Sequence, residues 1–498
     1  MPVLDWLGKD KVINHHRAVP FHFLDKKFSV GNSQNKIIHG DNLLALKSLL
    51  PEFAGKVKCI YIDPPYNTGN EGWIYNDAVN DPQIKRWLGQ VVGKEGEDFT
   101  RHDKWLCMMY PRLRLLQKLL ADDGAIFISI NFRDEYHSLR LICDEIFGAL
   151  NYVGTLTWES LTQPTNSGRA KFGLQIKTEP ILCYRNNAAE NIFKLTPAPN
   201  TRTYPHKGKF GACRFEVIET SDAGTYGRST MKFKILGQAP RNGKRWKIGE
   251  ETARQLEAAG RVELVDGIVK KAVYPEDEAD KIVYKPFWSH LRAEDVGTAQ
   301  SGKEVLNSVM GEALGFDTVK PPALIEELLC HFDDDALILD AFAGSGTTAH
   351  AVINLNAADG GNRRFILIEL MDYAESITAE RVKRVGGSFD FYELGAPLFD
   401  EADCINGRVT QEQLREYIYF SETGKHYATA AEENLLGVDD GIAYYLFQGR
   451  ELNYEALATI ETRATAYVIY ADSCTLSEAF LDKHAITFKK LPRDVRRY

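Results

Sequence analysis

KIIHGDNLLALKSLLPEFAGKVKCIYID, residues 36–63, is the stretch of sequence that decides the fold. A short apolar segment is followed by leucines at helical spacing between Leu43 and Leu50, and then by a continuous apolar run that ends at Asp63. This pattern predicts a strand, an amphipathic helix and a fully buried second strand. Strands that alternate with helices form parallel sheets whose two faces are both covered. The stretch therefore predicts an α/β protein with a doubly wound, mostly parallel sheet.

The same alternation continues along the chain and is interrupted once. Residues 104–124 and 134–148 have helical patterns, and the apolar run AIFISI lies between them at 125–130. Residues 156–310 are polar and rich in turns, whereas strand and helix patterns return after them. We predict an α/β domain in two pieces with an irregular domain inserted between them and an accessory domain at the end. The predicted boundaries are 1–155, 156–310, 311–395 and 396–498, with accessory strands near 441–447, 464–471 and 485–491.

The composition is that of a soluble globular protein, with 44% hydrophobic and 26% charged residues in a chain of 498. No apolar run approaches the roughly 18 residues that a membrane span requires, and the first residues lack the pattern of a signal peptide. We therefore expect a cytoplasmic protein. The eight cysteines are widely spaced, so neither a metal site nor a disulfide framework is predicted.

The net charge of −9 conceals a basic segment. Residues 160–250 contain 16 lysines and arginines against 6 aspartates and glutamates, a surplus of ten. A local surplus of this kind is typical of a nucleic-acid contact. Within it, RNGKRWK at 241–247 contains the Asn-Gly pair of a hairpin turn. The candidate DNA contacts are Arg241, Lys244, Arg245, Trp246 and Lys247; a solvated charged turn is the alternative.

A glycine loop follows a buried strand in LDAFAGSGTT, residues 339–348. Glycines between a strand and a helix allow backbone amides to approach a ligand closely. The loop has no lysine before its threonine pair, so it is not a phosphate-binding P-loop. Glu369 ends the next apolar run, where a carboxylate suits a ribose diol. A tight turn in any doubly wound protein is the alternative.

The DPPY segment, residues 63–66, ends another buried strand. Two prolines remove two N–H donors and leave carbonyl oxygens beside the carboxylate of Asp63. A wall of acceptors suits the exocyclic amine of adenine or cytosine, and Tyr66 offers a ring for stacking.

DPPY together with FAGSG resembles the DNA amino-methyltransferases that use S-adenosylmethionine. The catalytic motif precedes the cofactor motif, as in the β group of these enzymes. Residues 9–155 and 315–390 most resemble the modification (Mod) subunits of type III restriction–modification systems. The resemblance implies a Rossmann-like methyltransferase fold, S-adenosylmethionine as cofactor, double-stranded DNA as substrate, and both a homodimer and a restriction subunit as candidate partners.

The resemblance also implies roles for individual residues. Asp63 and the carbonyl of Pro64 would accept the amine hydrogens of a flipped-out base, Pro65 would stiffen the wall, and Tyr66 would stack on the base. Asp41 has the alternative of a plain helix N-cap. The implied cofactor-binding residues are Asp41, Asn42, Lys320, Pro321, Asp340, Phe342, Ala343, Gly344, Ser345, Gly346, Thr347, Thr348 and Glu369.

Three alternatives stay open at this point. A cytosine N4 methyltransferase would use the same wall, although such members more often have serine in place of Asp63. Relatives that methylate a protein glutamine or an RNA base tend to have asparagine there. The third alternative is a DNA-recognition subunit whose catalysis is vestigial.

Overall fold

The structure is a computed structural model that describes residues 3–68, 98–164, 172–198, 201–223, 229–316, 318–425, 427–428, 430 and 432–496. The chain forms two compact units. One comprises Met1–Lys194 and Phe287–Tyr498, and the other comprises Leu195–Pro286. Each is described separately.

The first unit is built on a ten-stranded sheet. Its strands are β1 His22–Val30, β2 Lys36–His39, β3 Val57–Ile62, β4 Leu120–Ser129, β5 Tyr152–Glu159, β6 Thr178–Arg185, β7 His290–Leu291, β8 Leu337–Asp340, β9 Arg364–Glu369 and β10 Phe389–Pro397. Their order across the sheet is β1-β10-β2-β9-β8-β3-β4-β6-β5-β7. The central pairs from β10 to β4 are parallel, whereas β1 and β6 run antiparallel to their neighbours. The predicted doubly wound, mostly parallel sheet is confirmed.

Alternate residues of the central strands enter two hydrophobic cores, one on each face of the sheet. Ile60 and Ile62 of β3 belong to one core, whereas Cys59 and Tyr61 belong to the other. Side chains that alternate in this way explain why the buried strands are continuous apolar runs in the sequence.

Helices cover both of these faces. Those of the first unit are Lys9–Val12, His15–Ala18, Asn42–Phe53, Asp98–Leu119, Tyr136–Cys143, Ala293–Val296, Ala299–Met310, Pro322–Leu329, Thr347–Asp359, Glu380–Arg384, Gln411–Thr423, Tyr454–Ala458 and Glu478–Lys483. Asn42–Phe53 and Asp98–Leu119 pack in the first core, and Pro322–Leu329 packs in the second. Within the described residues, each helix is too short or too polar to cross a bilayer.

The helix predicted at 104–124 differs at its end. It runs from Asp98 to Leu119 and contains Pro111, whereas Leu120 already begins β4. Leu120 pairs with Val57 of β3, so β4 begins within residues whose own pattern is helical. Pairing with a neighbouring strand here outweighs local periodicity.

Within its described residues, the second unit, Leu195–Pro286, contains three small sheets and one α-helix. A four-stranded sheet has the order Val262–Val265, Ile268–Val273, Gly211–Val217, His206–Gly208. Glu219–Ser221 pairs with Lys244–Trp246, Thr196–Ala198 pairs with Val283–Lys285, and the helix is Glu250–Ala258. Trp246, Ala253 and Val262 belong to its main core.

This unit is narrower than the predicted insertion at 156–310. Residues of β6 and β7 lie inside the predicted range but pair with the ten-stranded sheet. Their polar surroundings in the sequence conceal two strands of the ten-stranded sheet, of which β7 lies at its edge. The helix Ala299–Met310 also belongs to the first unit.

The last hundred residues contain a four-stranded sheet of their own. Its strands, in spatial order, are Leu435–Asp439, Ile442–Leu452, Ala466–Cys474 and Ile486–Lys490. Three of them fall where strands were predicted. Tyr417 and Tyr444 share a core with Phe23 of β1, so this sheet packs as part of the first unit.

Candidate active site

The candidate site lies at one edge of the ten-stranded sheet. β9, β8 and β3 are neighbours, and their carboxyl ends meet at that edge. Asp63 follows β3 directly, Asp340 ends β8 and Glu369 ends β9. Because parallel strands point the same way, this arrangement brings together motifs that are far apart in the chain.

The DPPY segment and the glycine loop line one cavity of about 270 Å³. Its lining residues are Asp63, Pro64, Pro65, Tyr66, Thr318, Lys320, Phe342, Gly344, Glu369, Met371 and Tyr373. The cavity therefore joins the acceptor wall to the loop and to the carboxylate at the end of the next strand.

Asp63 has one engaged and one unengaged carboxylate oxygen. Oδ2 accepts a hydrogen bond of 2.8 Å from Lys320 Nζ. Oδ1 is buried and has no hydrogen-bond partner among the described residues. A buried acceptor without a donor is uncommon in folded proteins and costs free energy. The wall thus keeps one acceptor for which the described residues supply no donor.

Tyr66 and Pro65 are held by residues outside the DPPY segment. The Tyr66 hydroxyl donates to Glu179 Oε2 at 3.0 Å and accepts from Lys320 Nζ at 2.9 Å. The indole N–H of the fully buried Trp105 donates to the Pro65 carbonyl at 2.7 Å. The second half of the wall is therefore held by three side chains from other parts of the chain.

The turn after the wall is fixed by a second buried carboxylate. Asn67 adopts a φ of 59°, a conformation that asparagine tolerates better than most residues. Its side-chain amide donates to Glu135, which is fully buried and also contacts His102 Nδ1.

Lys320 connects the wall to the helix Pro322–Leu329. Its ammonium contacts Asp63 Oδ2 at 2.8 Å and lies 3.5 Å from Glu179 Oε2. Burial alone would lower the pKa of Lys320, but Asp63 and Glu179 offset that effect, so the pKa lies above its ordinary value. Lys320 is therefore a charged ammonium at neutral pH.

The glycine loop has two residues that require glycine's conformational freedom. Gly344 has a φ of 51° and Gly346 a φ of 81°. A Cβ added at Gly344 would meet no atom within 4 Å, whereas one at Gly346 would lie 3.2 Å from Thr378. The first glycine thus borders open space, and the second permits close packing.

Glu369, the last residue of β9, holds the glycine loop through hydrogen bonds. Its carboxylate accepts hydrogen bonds from the amides of Gly344 at 2.7 Å and Met371 at 2.9 Å. Burial raises the pKa of Glu369. The side chain is only 4% exposed yet lines the cavity.

Asp340 stabilises the glycine loop through two hydrogen bonds. It accepts from the Phe342 amide at 3.0 Å and from the Thr348 hydroxyl. Burial raises its pKa to about 7, although these two hydrogen bonds act in the opposite direction. Asp340 therefore supports the loop rather than facing the cavity.

The raised pKa of Asp340 predicts a pH-dependent stability. A carboxyl group whose pKa is higher in the folded state contributes stability that is complete below its unfolded pKa, near 3.9, and is lost as pH rises through about 7. Relative to Asp340→Asn, the unfolding free energy of the native chain should fall by about 2 kcal/mol between pH 5 and pH 7. Urea denaturation of both proteins at the two pH values measures this difference. A constant difference would contradict the assignment.

Asp41 and Asn42 are engaged by Arg112. Asp41 caps the helix Asn42–Phe53 by accepting from the Leu43 amide, and it also accepts from Arg112 at 3.0 Å. Asn42 accepts from Arg112 and donates to the Ala341 carbonyl at 2.8 Å. The N-cap alternative for Asp41 is the one that the structure shows, and Asn42 contacts the backbone of the glycine loop.

The remaining cofactor candidates support the loop or the lysine. Pro321 is the N-cap of the helix that follows Lys320. The Ala343 amide donates to the Ile368 carbonyl at 3.1 Å. Ser345 and Thr347 each accept from the buried Arg381 at 2.8 Å.

The candidate DNA contacts require correction. Trp246 is fully buried, and its indole N–H donates to the Phe233 carbonyl, so it is a core residue rather than a contact. The Asn-Gly turn is present, with Gly243 at a φ of 70°. However, the strand after it pairs with Glu219–Ser221, so 241–247 is not a simple hairpin tip.

The four charged candidates remain partly exposed. Arg241 pairs with Glu219 at 2.7 Å, and Arg245 lies 3.7 Å from Asp222. The Lys247 ammonium donates to the Val217 carbonyl. Lys244 pairs through its backbone with Ser221.

Four residues at the site were not identified from the sequence: Glu179, Trp105, Arg112 and Arg381. Trp105 and Arg112 lie in a helical pattern, in which the tryptophan is expected in the core and the arginine at the surface. Glu179 begins an apolar run, and Arg381 lies in a charged helix. No local signal marks any of them, because each acts across a distant contact.

Comparison with known proteins agrees with this geometry. The family of N6/N4 methyltransferases, described as DNA methylase, matches residues 57–380. The StyLTI Mod subunit of Salmonella typhimurium is 34% identical over 363 residues, covering 68% of this chain and 52% of the relative. The EcoP15I Mod subunit of Escherichia coli is 30% identical over 418 residues, covering 74% and 64%. The type II methyltransferase M.KpnI of Klebsiella pneumoniae is 29% identical, covering 68% and 81%.

Two solved structures are similar to this chain at lower identity. The M1.HpyAVI–SAM complex has a TM-score of 0.33 and 15% identity, covering 70% of this chain and 98% of that one. The cytosine-N4-specific PvuII DNA methyltransferase has a TM-score of 0.35 and 12% identity, covering 72% and 95%. Neither likeness is close enough to bear on function. The chain spans between about half and two thirds of the Mod relatives. The family match covers more than half of the sequence, and the chain belongs to the DNA methylase family.

Proposed function

We propose that this chain is a DNA methyltransferase that transfers a methyl group from S-adenosylmethionine to the exocyclic N6 amine of adenine. The observation that carries the proposal is the shared cavity, in which an unpartnered Asp63 oxygen lies beside a glycine loop. The similarity to Mod subunits supports a role as the modification subunit of a type III restriction–modification system.

The cavity residues suit S-adenosylmethionine. Glu369 is a buried carboxylate with lone pairs left for ribose hydroxyls. Phe342 and Tyr373 supply aromatic surface, and the loop at Gly344 leaves open space where a side chain would stand. When bound, the cofactor supplies a methyl group activated by a sulfonium cation.

Asp63 and Pro64 prepare the amine for reaction. The adenine amine is a weak nucleophile because its lone pair is delocalised into the ring. Asp63 Oδ1 and the Pro64 carbonyl accept its two hydrogens, so that the lone pair is directed toward the methyl carbon. The Asp63 carboxylate would stabilise the positive charge that develops on the amine nitrogen when it is methylated. The proton that the nitrogen then loses would pass to water.

Tyr66 and the fixed wall provide positioning. The ring stacks on the base, which must leave the duplex to reach the cavity. Trp105 holds the Pro65 carbonyl, so the backbone of the wall does not have to reorganise during the reaction.

The identity of the modified base tests the proposal directly. The purified chain is incubated with labelled S-adenosylmethionine and DNA, and the DNA is digested to nucleosides. Label in N6-methyl-2′-deoxyadenosine is the expected result. Label in N4-methylcytosine would establish the alternative substrate, which the family also includes. Absence of label in DNA, with the cofactor bound, would support a vestigial recognition subunit.

The second unit is the proposed DNA-binding part, and it predicts a steep salt dependence. Exposed lysines and arginines that meet phosphates release counterions when they bind. DNA affinity should fall roughly tenfold or more between 50 and 200 mM salt. Replacement of Lys244 and Lys247 by glutamine should reduce the slope by about 2, because each phosphate contact contributes about 0.9. Fluorescence anisotropy at several salt concentrations measures both, and a flat dependence would contradict this role.

The partners follow from the same proposal. Double-stranded DNA is the substrate, and the Mod relatives suggest a restriction (Res) subunit and a homodimer. A modification enzyme of this type would act in the cytoplasm, where the DNA of a prokaryotic cell lies.

A further inference from the structure

Glu179 lies at the active-site edge because one strand of the sheet is reversed. It is the second residue of β6, which runs antiparallel to β4. The amino-terminal end of β6 therefore lies beside the carboxyl ends of β3 and β4, and Ile130 donates to the Pro180 carbonyl there. This reversal places a further carboxylate beside the Lys320 ammonium that contacts Asp63.

Among the described residues, the Glu179 carboxylate contacts Tyr66 and Lys320, which both line the cavity. Its Oε2 accepts from the Tyr66 hydroxyl at 3.0 Å and lies 3.5 Å from Lys320 Nζ. Its side chain is 20% exposed, and it is not a residue of the cavity lining given above. Glu179 thus contacts two cavity residues but does not line the cavity itself.

Lys320 is consequently shared between two carboxylates. It lies closer to Asp63, at 2.8 Å, than to Glu179, at 3.5 Å. Without Glu179, Asp63 would be the only carboxylate within ion-pair distance of Lys320 among the described residues, and the ammonium would lose its second anchor. The Tyr66 hydroxyl would also lose its acceptor.

We propose that Glu179 is a positioning residue for methyl transfer: it holds the Tyr66 ring through its hydroxyl and gives the Lys320 ammonium a second anchor, so that Lys320 stays on Asp63 Oδ2 and leaves Oδ1 for the amine. The inference rests on the proposed function and assigns the role of a residue that touches neither base nor cofactor.

Two substitutions separate the two parts of this role. Glu179→Gln keeps an acceptor for Tyr66 but removes the charge that attracts Lys320, and kcat should fall about tenfold. Glu179→Ala removes both contacts, and kcat should fall about 100-fold, the loss typical of misplaced reacting groups. The affinity for S-adenosylmethionine, measured by calorimetry, should change less than about twofold in both variants, since Glu179 lies outside the cavity lining.

A double substitution tests whether Glu179 acts through Tyr66. The combination of Glu179→Ala with Tyr66→Phe should be no slower than the slower single variant by more than about twofold, because residues that act together are not additive. Losses that multiply would overturn the inference. Glu190→Gln, at an exposed glutamate after the same strand, is the matched control and should retain native kcat.

The outcomes distinguish this inference from the proposed function. If the native chain methylates DNA and both Glu179 variants match the control, Glu179 has no positioning role. If the native chain fails to methylate DNA, the proposed function is wrong. If Glu179→Ala does not fold, Glu179→Gln decides alone: a tenfold loss with unchanged cofactor affinity supports the role, and native kcat overturns it.

Discussion

Replacement of Asp63 by alanine is expected to reduce the rate of methyl transfer by roughly 100- to 1,000-fold. The carboxylate is the charged acceptor in the wall, and its Oδ1 has no donor within the described part of the chain. Removal of one preorganised group that faces a developing charge has an effect of this size in other enzymes. Single-turnover incorporation of labelled methyl groups into DNA measures the chemical step.

Asp123→Ala is the matched control for this substitution. Asp123 lies in β4, is 43% exposed and pairs with Lys58. Its loss should leave methyl transfer within about twofold of native, as expected of an exposed ion pair. Asp63→Asn retains one acceptor oxygen and should fall between Asp63→Ala and the native chain. Near-native methyl transfer by a folded Asp63→Ala variant would contradict the catalytic assignment.

Replacement of Glu369 by alanine is expected to weaken binding of S-adenosylmethionine by roughly 10- to 100-fold. Hydrogen bonds to a charged group contribute about 1.5–3 kcal/mol, and each 1.4 kcal/mol corresponds to a factor of ten. The variant also loses the hydrogen bond of 2.7 Å from the Gly344 amide. The substitution therefore removes both a support of the glycine loop and the proposed acceptor for the ribose hydroxyls. Calorimetric titration with the cofactor measures the effect.

Two further proteins separate these contributions to cofactor binding. Glu369→Gln keeps one acceptor oxygen for the loop and should bind more tightly than Glu369→Ala. Glu393→Ala removes a partly exposed carboxylate of β10 that pairs with Lys27, and it should bind the cofactor normally. Unchanged affinity in Glu369→Ala would remove this residue from the cofactor site.

The main elements of the α/β domain follow from local patterns. Leu43 to Leu50 form one face of a helix because apolar residues recur at helical spacing, and Val57–Ile62 is a buried strand because its apolar run is continuous. The predicted end of the second helix, at residue 124, is wrong, because the helix ends at Leu119. Leu120 already pairs with Val57, which lies more than sixty residues earlier in the chain.

In the inserted segment, local patterns predict the charge but not the burial of a particular side chain. The charge surplus is a property of composition and needs no fold. The turn pattern at 241–247 predicts that Trp246 contacts DNA together with its charged neighbours. In the structure it is a core residue, since the strand that carries it pairs with Glu219–Ser221 and turns the indole inward.

The sequence alone determined the fold class, the two motifs and the expectation that they meet, because strand ends, prolines and glycines act on their own neighbours. Only the tertiary structure decided which oxygen of Asp63 lacks a donor, that Arg112 and Arg381 hold the surrounding loops, and that Glu179 stands behind Tyr66 and Lys320. The reason is physical: these contacts join residues from different strands, and their existence depends on strand order and direction, which no local pattern encodes.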